Sequence, residues 1–470
     1  MTNFFDLSLK EINLKLKNKE IKPIDLVNEA FNKIEQYKEY NTFITLNKEF
    51  AIRKAKELEN KEVNNILFGI PIAIKDNIIT KDLLTTAGSR MLFDFVPTYD
   101  ATVINKLNEC NAIIIGKTNM DEFAMGSTGE TSYYGNTLSA INKELVPGGS
   151  SSGSAVSVAL KITPISLGTD TGGSIRQPSS FNNVVGLKPT YGRVSRYGLI
   201  SFASSLDQIG PITNNVLDNA LLLNEIVGID NKDLTSTYSN EDFTSLIGSD
   251  IKGMKVCIPN FYLNEVDKVI KDKILDVIKF LEKNEVKIDY VDIEYIDYAV
   301  SLYQVIALGE ASSNMSRYDG IRYGYRTSKK TNSIDEFYSY TRDEAFGEEV
   351  KRRIMMGTYV LSGKNVDVYY KKALTLRNLL SNNLYNLFKS YDLIIGPTTT
   401  TLPYKLGSVR DANKSFMDDI LTIPINLAGL PSMSLPIGNT IGLQIIGNMF
   451  DEKTIYKLAS FIESNYKRGE

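Results

Sequence analysis

No histidine occurs anywhere in the 470 residues, and there are only two cysteines. These shortages remove the usual ligands of a zinc hydrolase and the usual general base for a serine nucleophile. No acidic cluster marks a carboxylate-only magnesium site, so no metal is expected on this chain. Cys110 and Cys257 stand far apart and read as small core residues of a reduced protein, not as a disulfide. Charge of one sign is missing too. Lys and Arg number 53 against 56 Asp and Glu, a net −3, which gives no broad electrostatic footprint for nucleic acid. No apolar run reaches the length of a membrane span. The opening MTNFFDLSLKEINLKLKNKE carries acids and helical periodicity, unlike a signal or transit peptide, so the expected location is the cytoplasm.

What is present reads as one α/β unit over residues 1–470. Hydrophobic residues make up 43% and charged residues 23%, the composition of a soluble globular enzyme. The first 65 residues carry helical periodicity, with Pro23 near one helix start and Leu26, Ala30 and Ile34 on one face. LFGIPIAIKD, AIIIG, PISLGTD, GMKVCIP, YDLIIGP, SMSLP and GLQIIG are short, largely β-branched runs that predict buried strands. Helices are predicted at ATVINKLNECN, from about 152 to 161, near 265–283 and near 365–389. Such alternation predicts a mixed central β-sheet covered by helices on both faces. The polar, weakly patterned stretch 229–252 reads as a connecting segment. No repeat and no low-complexity linker is visible.

Three stretches carry chemistry. GTDTGGSIRQP, residues 168–178, sets two glycines and Ser174 after Asp170 and Thr171. Adjacent glycines let the backbone approach a ligand closely, and a serine beside them can be a nucleophile. VPGGSSSGSAVSVAL, residues 146–160, would read as a flexible linker in isolation. Here it runs directly into a helical pattern, so its glycines precede a helix N-terminus, an anion-tolerant position. It is not a phosphate-binding P-loop, because no lysine follows the last glycine. In FGIPIAIKDNI, Lys75 ends an apolar strand leading into the sheet interior. A lone lysine is usually a solvated charge, but the C-terminal edge of a buried strand is where α/β folds place functional groups.

Together these stretches resemble the amidase signature family, over nearly the whole chain. LKPTYGRVSRYGLISFASSLDQIGP, EASSNMSRYDGIRYG, EVKRRIMMGTYVLS and INLAGLPSMSLPIG narrow the resemblance to the glutamine-hydrolysing members that serve tRNA-dependent amidotransferases. The resemblance implies a Ser–cis-Ser–Lys triad: Ser174 as nucleophile, Ser150 as relay after a cis peptide, and Lys75 as ultimate base. An ordinary lysine would be neutral in only about one molecule in 10³ at pH 7.5, so burial must lower its pKa. The implied oxyanion hole is the backbone N–H groups of Thr171, Gly172, Gly173 and Ser174. Arg353 is implied for the α-carboxylate of glutamine, Asp419 for its α-ammonium, and Tyr303 for the pocket wall.

No cofactor is implied on this chain. The resemblance implies a heterotrimer with two partner proteins, GatB and GatC. GatB takes the ammonia and holds ATP, Mg²⁺ and the misacylated tRNA, and GatC, a small protein, clasps the other two. The acceptor is Glu-tRNA(Gln) or Asp-tRNA(Asn). One alternative is a free-standing amidase with a small amide substrate, against which the Arg353–Asp419 zwitterion clamp speaks. The other is a catalytically dead scaffold, against which the complete triad speaks. Two positions depart from the family pattern. Ser152 replaces a glycine of the usual GGSSGGS, which costs roughly 1–2 kcal/mol if that position needs positive φ. Asn182-Asn183 replaces a smaller, glycine-containing stretch, and asparagine tolerates left-handed φ best among non-glycine residues.

Overall fold

Alternate residues of the central strands enter different apolar clusters, so the sheet is buried on both faces. Along Leu393–Pro397, Leu393 and Ile395 join one cluster and Ile394 the other; Val256 and Ile258 part from Cys257 in the same way. That is the period-two geometry of a strand with helices above and below it. The computed structural model describes residues 3–408 and 418–467. Among these, eleven strands form one sheet: β1 Phe43–Leu46, β2 Pro71–Lys75, β3 Ile113–Thr118, β4 Ile165–Asp170, β5 Val185–Lys188, β6 Gln208–Thr213, β7 Lys255–Pro259, β8 Lys287–Val291, β9 Leu393–Pro397, β10 Ser432–Pro436 and β11 Gly442–Ile446. Their spatial order is β1-β3-β2-β4-β6-β5-β10-β11-β9-β7-β8. Pairing is parallel between β2 and β3, β2 and β4, β7 and β8, and β7 and β9. The remaining neighbours pair antiparallel.

The seven strands predicted from apolar runs are all present. Four others escaped that reading, for physical reasons. β1 is four residues at the sheet edge, β5 is equally short, and β6 contains glycine and proline. β8 is a mostly exposed edge strand with alternating charge. Segment 229–252 holds no helix or named strand, yet Phe243 and Ile251 are fully buried in the main core. Cys110 and Cys257 are both buried free thiols, as expected. No helix among the described residues is long and apolar enough to cross a membrane.

The strand register also decides where Lys75 points. Ile72 and Ile74 face the main core, which turns Lys75 to the opposite face beside its register partner Thr118. Thr118 Oγ1 is 2.7 Å from Ser154 Oγ, so this face is covered by the helix Ser152–Ala159. The loop entering that helix contains Ser150. Sheet geometry thus brings residues 75 sequence positions apart into contact.

Candidate active site

Lys75 is wholly buried at the end of β2. Its Nζ lies 2.7 Å from Ser150 Oγ, 2.9 Å from Ser151 Oγ, 2.8 Å from Thr169 Oγ1 and 3.3 Å from the Thr169 carbonyl. The Ser151 hydroxyl donates to that carbonyl at 3.0 Å, so Ser151 Oγ must accept from the lysine. A neutral amine has two N–H bonds and one lone pair. With its hydrogens on Ser151 and Thr169, its lone pair is left for the Ser150 hydroxyl. Burial lowers the Lys75 pKa to about 7, while the carboxylates of Asp121, Asp170 and Asp207 oppose that shift. Among the described residues the lysine has no ion-pair partner.

The loop after β4 presents Ser174, which is 8% exposed. Ser151 N–H donates to Ser174 O at 3.1 Å, joining the two serine loops. The peptide between Gly149 and Ser150 is cis. Gly149 N–H is held by Gln177 Oε1 at 2.9 Å, and Ser150 O accepts from Asp121 N–H at 3.3 Å.

Asp170 organises the Ser174 loop. Its carboxylate accepts from Gly173 N at 2.9 Å, Ile175 N at 3.1 Å, Asn426 Nδ2 at 2.8 Å, and from Arg176 through Nε at 3.0 Å and Nη2 at 2.9 Å. Despite complete burial, the Arg176 guanidinium holds the Asp170 carboxyl well below the usual carboxylate range. Asp170→Asn leaves that guanidinium buried without its counter-charge. The expected cost is about 3–5 kcal/mol of stability, read as a lowered denaturant midpoint.

The Asp170 contact corrects one expectation. Gly173 N–H is committed to Asp170 and leaves the oxyanion set, whereas Thr171, Gly172 and Ser174 donate their N–H groups to no acceptor among the described residues. Gly173 is instead required for shape. It has φ +145, and a Cβ there would lie 2.5 Å from Thr422 Oγ1 and 3.0 Å from Asp419 Oδ1. A Cβ on Gly172 would lie 2.8 Å from Tyr303 Oη. Tyr303 and Asp419 therefore border the loop that carries Ser174. Thr171 Oγ1 donates to Asp207 Oδ1 at 2.7 Å, fixing the loop from behind.

Arg353 sits on the helix Glu348–Leu361 and is 7% exposed. Its Nε donates to Glu349 Oε1 at 2.6 Å, and its guanidinium lies 5.4 Å from the Phe202 ring centroid. Phe202 in turn packs on Tyr303 at 6.5 Å. Arg353, Phe202, Tyr303 and the Gly172 loop thus form one continuous wall. Burial first, then neighbouring Asp418 and Asp170, push the Asp419 carboxyl well above its ordinary range. Burial likewise raises the Tyr303 phenol, which stays neutral.

Ser152 raises no strain, because it begins the helix Ser152–Ala159 without positive φ. Asn183 does take left-handed φ, at 55°. Asn182 Nδ2 braces the loop through the Pro147 carbonyl at 2.7 Å. Sequence reasoning assigned no role to Ser151, Thr169, Asp207 or Glu349. Ser151 and Thr169 stand beside predicted residues, but only the fold shows which way they face.

The chain matches the family model described as Amidase over residues 25–456. It is 52% identical to the A subunit of glutamyl-tRNA(Gln) amidotransferase from Listeria monocytogenes, over 98% of this chain and 97% of the relative. Identity to the protein of the same name from Staphylococcus epidermidis is 50%, with the same coverage. The crystal structure of the Thermotoga maritima counterpart superposes with a TM-score of 0.84 at 38% identity, covering 100% of this chain and 97% of the other. The family match over most of the chain and the full-length relatives at 50–52% identity agree, and the chain belongs to the amidase family.

Proposed function

We propose that this chain, acting as a single amidase-signature domain, hydrolyses glutamine to glutamate and ammonia as the glutaminase component of a glutamyl-tRNA(Gln) amidotransferase. The observation that carries the reading is Lys75, fully buried, with a pKa near neutrality and its Nζ 2.7 Å from Ser150 Oγ. The relatives' names support the amidotransferase role over a free-standing amidase.

Neutral Lys75 takes the Ser150 hydroxyl proton while Ser150 takes that of Ser174. Ser174 Oγ attacks the side-chain carboxamide carbon, and the N–H groups of Thr171, Gly172 and Ser174 receive the developing oxyanion. As the tetrahedral species collapses, the proton returns through Ser150 to the departing nitrogen, and ammonia leaves. Water, activated by the same relay, cleaves the glutamyl ester and regenerates Ser174. Arg353 takes the substrate α-carboxylate. Asp419 takes the α-ammonium, whose charge favours the ionised form that burial disfavours. Two partner proteins, GatB and GatC, complete the assembly. GatB binds ATP, Mg²⁺ and the misacylated Glu-tRNA(Gln) or Asp-tRNA(Asn), and uses the ammonia to amidate it in the cytoplasm.

Arg353→Lys tests the substrate assignment, because a lysine cannot reproduce paired guanidinium–carboxylate bonds. The expected result is a KM for glutamine raised on the order of 10- to 100-fold, from about 1.5–3 kcal/mol of lost charge-assisted bonding. The kcat/KM for 4-aminobutanamide, which is glutamine without its α-carboxylate, should barely change. Equal loss on both substrates would remove Arg353 from the clamp and favour a simple amidase.

A further inference from the structure

Residues 120–124, Met-Asp-Glu-Phe-Ala, touch both halves of the candidate site. On one side, Asp121 N–H meets Ser150 O, and a Cβ on Gly149 would fall 2.0 Å from Asp121 Oδ2. On the other side is Glu122, 3% exposed and without an ion-pair partner among the described residues. Its Oε1 accepts from Ser89 Oγ, and its Oε2 accepts from Gly347 N–H at 2.8 Å. Gly347 is the N-cap of the helix Glu348–Leu361 that carries Arg353.

A buried carboxylate without a direct ion pair is costly, and burial pushes this one up to about 7 against the bonds from Ser89 and Gly347 and the more distant charge of Lys351. The positive end of the fourteen-residue helix offsets part of that cost. Two further contacts pin the same turn. Phe123 packs on Phe346 with ring centroids 5.7 Å apart, and Arg90 Nη1 donates to Glu344 O at 3.1 Å. There is no slack at the cap, since a Cβ on Gly347 would lie 2.5 Å from Glu122 Oε2. From this anchored end the first turn supplies Glu349, which grips Arg353 Nε one turn further on. A helix is stiff, so its anchored end sets the height and rotation of Arg353, about 9 Å along the axis.

We propose that Glu122 is a positioning residue for Arg353: by fixing the helix N-terminus, it holds the guanidinium where a substrate α-carboxylate can be met. The inference rests on the assignment of Arg353 to the glutamine α-carboxylate. A carboxylate pair tolerates little displacement, so loosening the cap costs substrate binding while the triad, to which the Glu122 side chain makes no bond, keeps its chemistry.

The test uses the full-length chain in the assembly in which it purifies, with glutamine and 4-aminobutanamide as substrates. Glu122→Ala should raise KM for glutamine about tenfold, the factor expected from one lost buried hydrogen bond, with kcat within about twofold. The kcat/KM for 4-aminobutanamide should stay within about twofold. Glu122→Gln keeps an acceptor for Gly347 N–H and should recover most of the loss. In an Arg353→Lys background, Glu122→Ala should add little, because the two act through one contact. Should the alanine variant not fold, Glu122→Gln and Ser89→Ala provide the same comparison at smaller amplitude. Proportional loss on both substrates, or a full additional factor in the Arg353→Lys background, overturns the inference. Arg353→Lys alone acting equally on both substrates is the separate signature that the clamp itself is misassigned, and the positioning role then falls with it.

Discussion

Lys75→Arg is expected to abolish acylation, and Lys75→Ala to reduce it by about 10²–10⁴-fold, the range of a lost general base. A guanidinium stays protonated at any usable pH and cannot accept the Ser150 proton. In the wild type, the working form of Lys75 is the deprotonated one. With its pKa at about 7, acylation should therefore rise with pH through neutrality and level off above it. At pH 6 only about a tenth of the lysine is neutral, so the rate there should be about tenfold below the plateau. In most hydrolases such a limb would be credited to histidine, which this chain does not contain. The limb alone does not assign the base, because burial also brings Asp207, Glu122 and Lys188 to about 7. Single-turnover acylation from pH 5.5 to 9 on the wild type and both variants separates them. The alanine variant should lose the Lys75 limb along with the rate. An arginine variant with near-normal acylation would make Lys75 a fixed positive charge and void the relay.

Ser174→Ala should eliminate glutamine hydrolysis, a loss on the order of 10⁶-fold, the scale for removing an acyl-enzyme nucleophile. The fold should survive. The Ser174 hydroxyl makes no hydrogen bond among the described residues, and the loop is held by backbone contacts to Asp170 and Ser151. Thermal midpoints of variant and wild type should therefore agree closely. In the assembled complex, glutamine-dependent amidation of tRNA should vanish while added ammonium still supports it, because the proposed function assigns that step to a partner subunit. Loss of the ammonium-dependent reaction as well would show that Ser174 serves assembly and not nucleophilic attack.

The sequence by itself determined the class of fold and most of the sheet. The runs IPIAI, AIIIG and DLIIG are continuous and β-branched because their strands are covered on both faces, and such burial leaves an unmistakable pattern. Where the strand is short or exposed, as in β1 and β8, or interrupted by glycine and proline, as in β6, composition carries no such mark. The lack of histidine excluded the commonest serine activation, and resemblance to a family supplied the alternative. No spacing rule joins Lys75, Ser150 and Ser174, since the parallel pairing of β2 with β4 and the covering helix Ser152–Ala159 bring their loops together. Other properties of the site came only from the tertiary structure. They include the contact of Lys75 Nζ with Ser150 Oγ, the commitment of Gly173 N–H to Asp170, the right-handed conformation of Ser152 and the wall from Arg353 to Tyr303. Each depends on the direction of a donor or the angle of a backbone. Those are settled by long-range packing that places one polar group against another, and a linear pattern does not encode them.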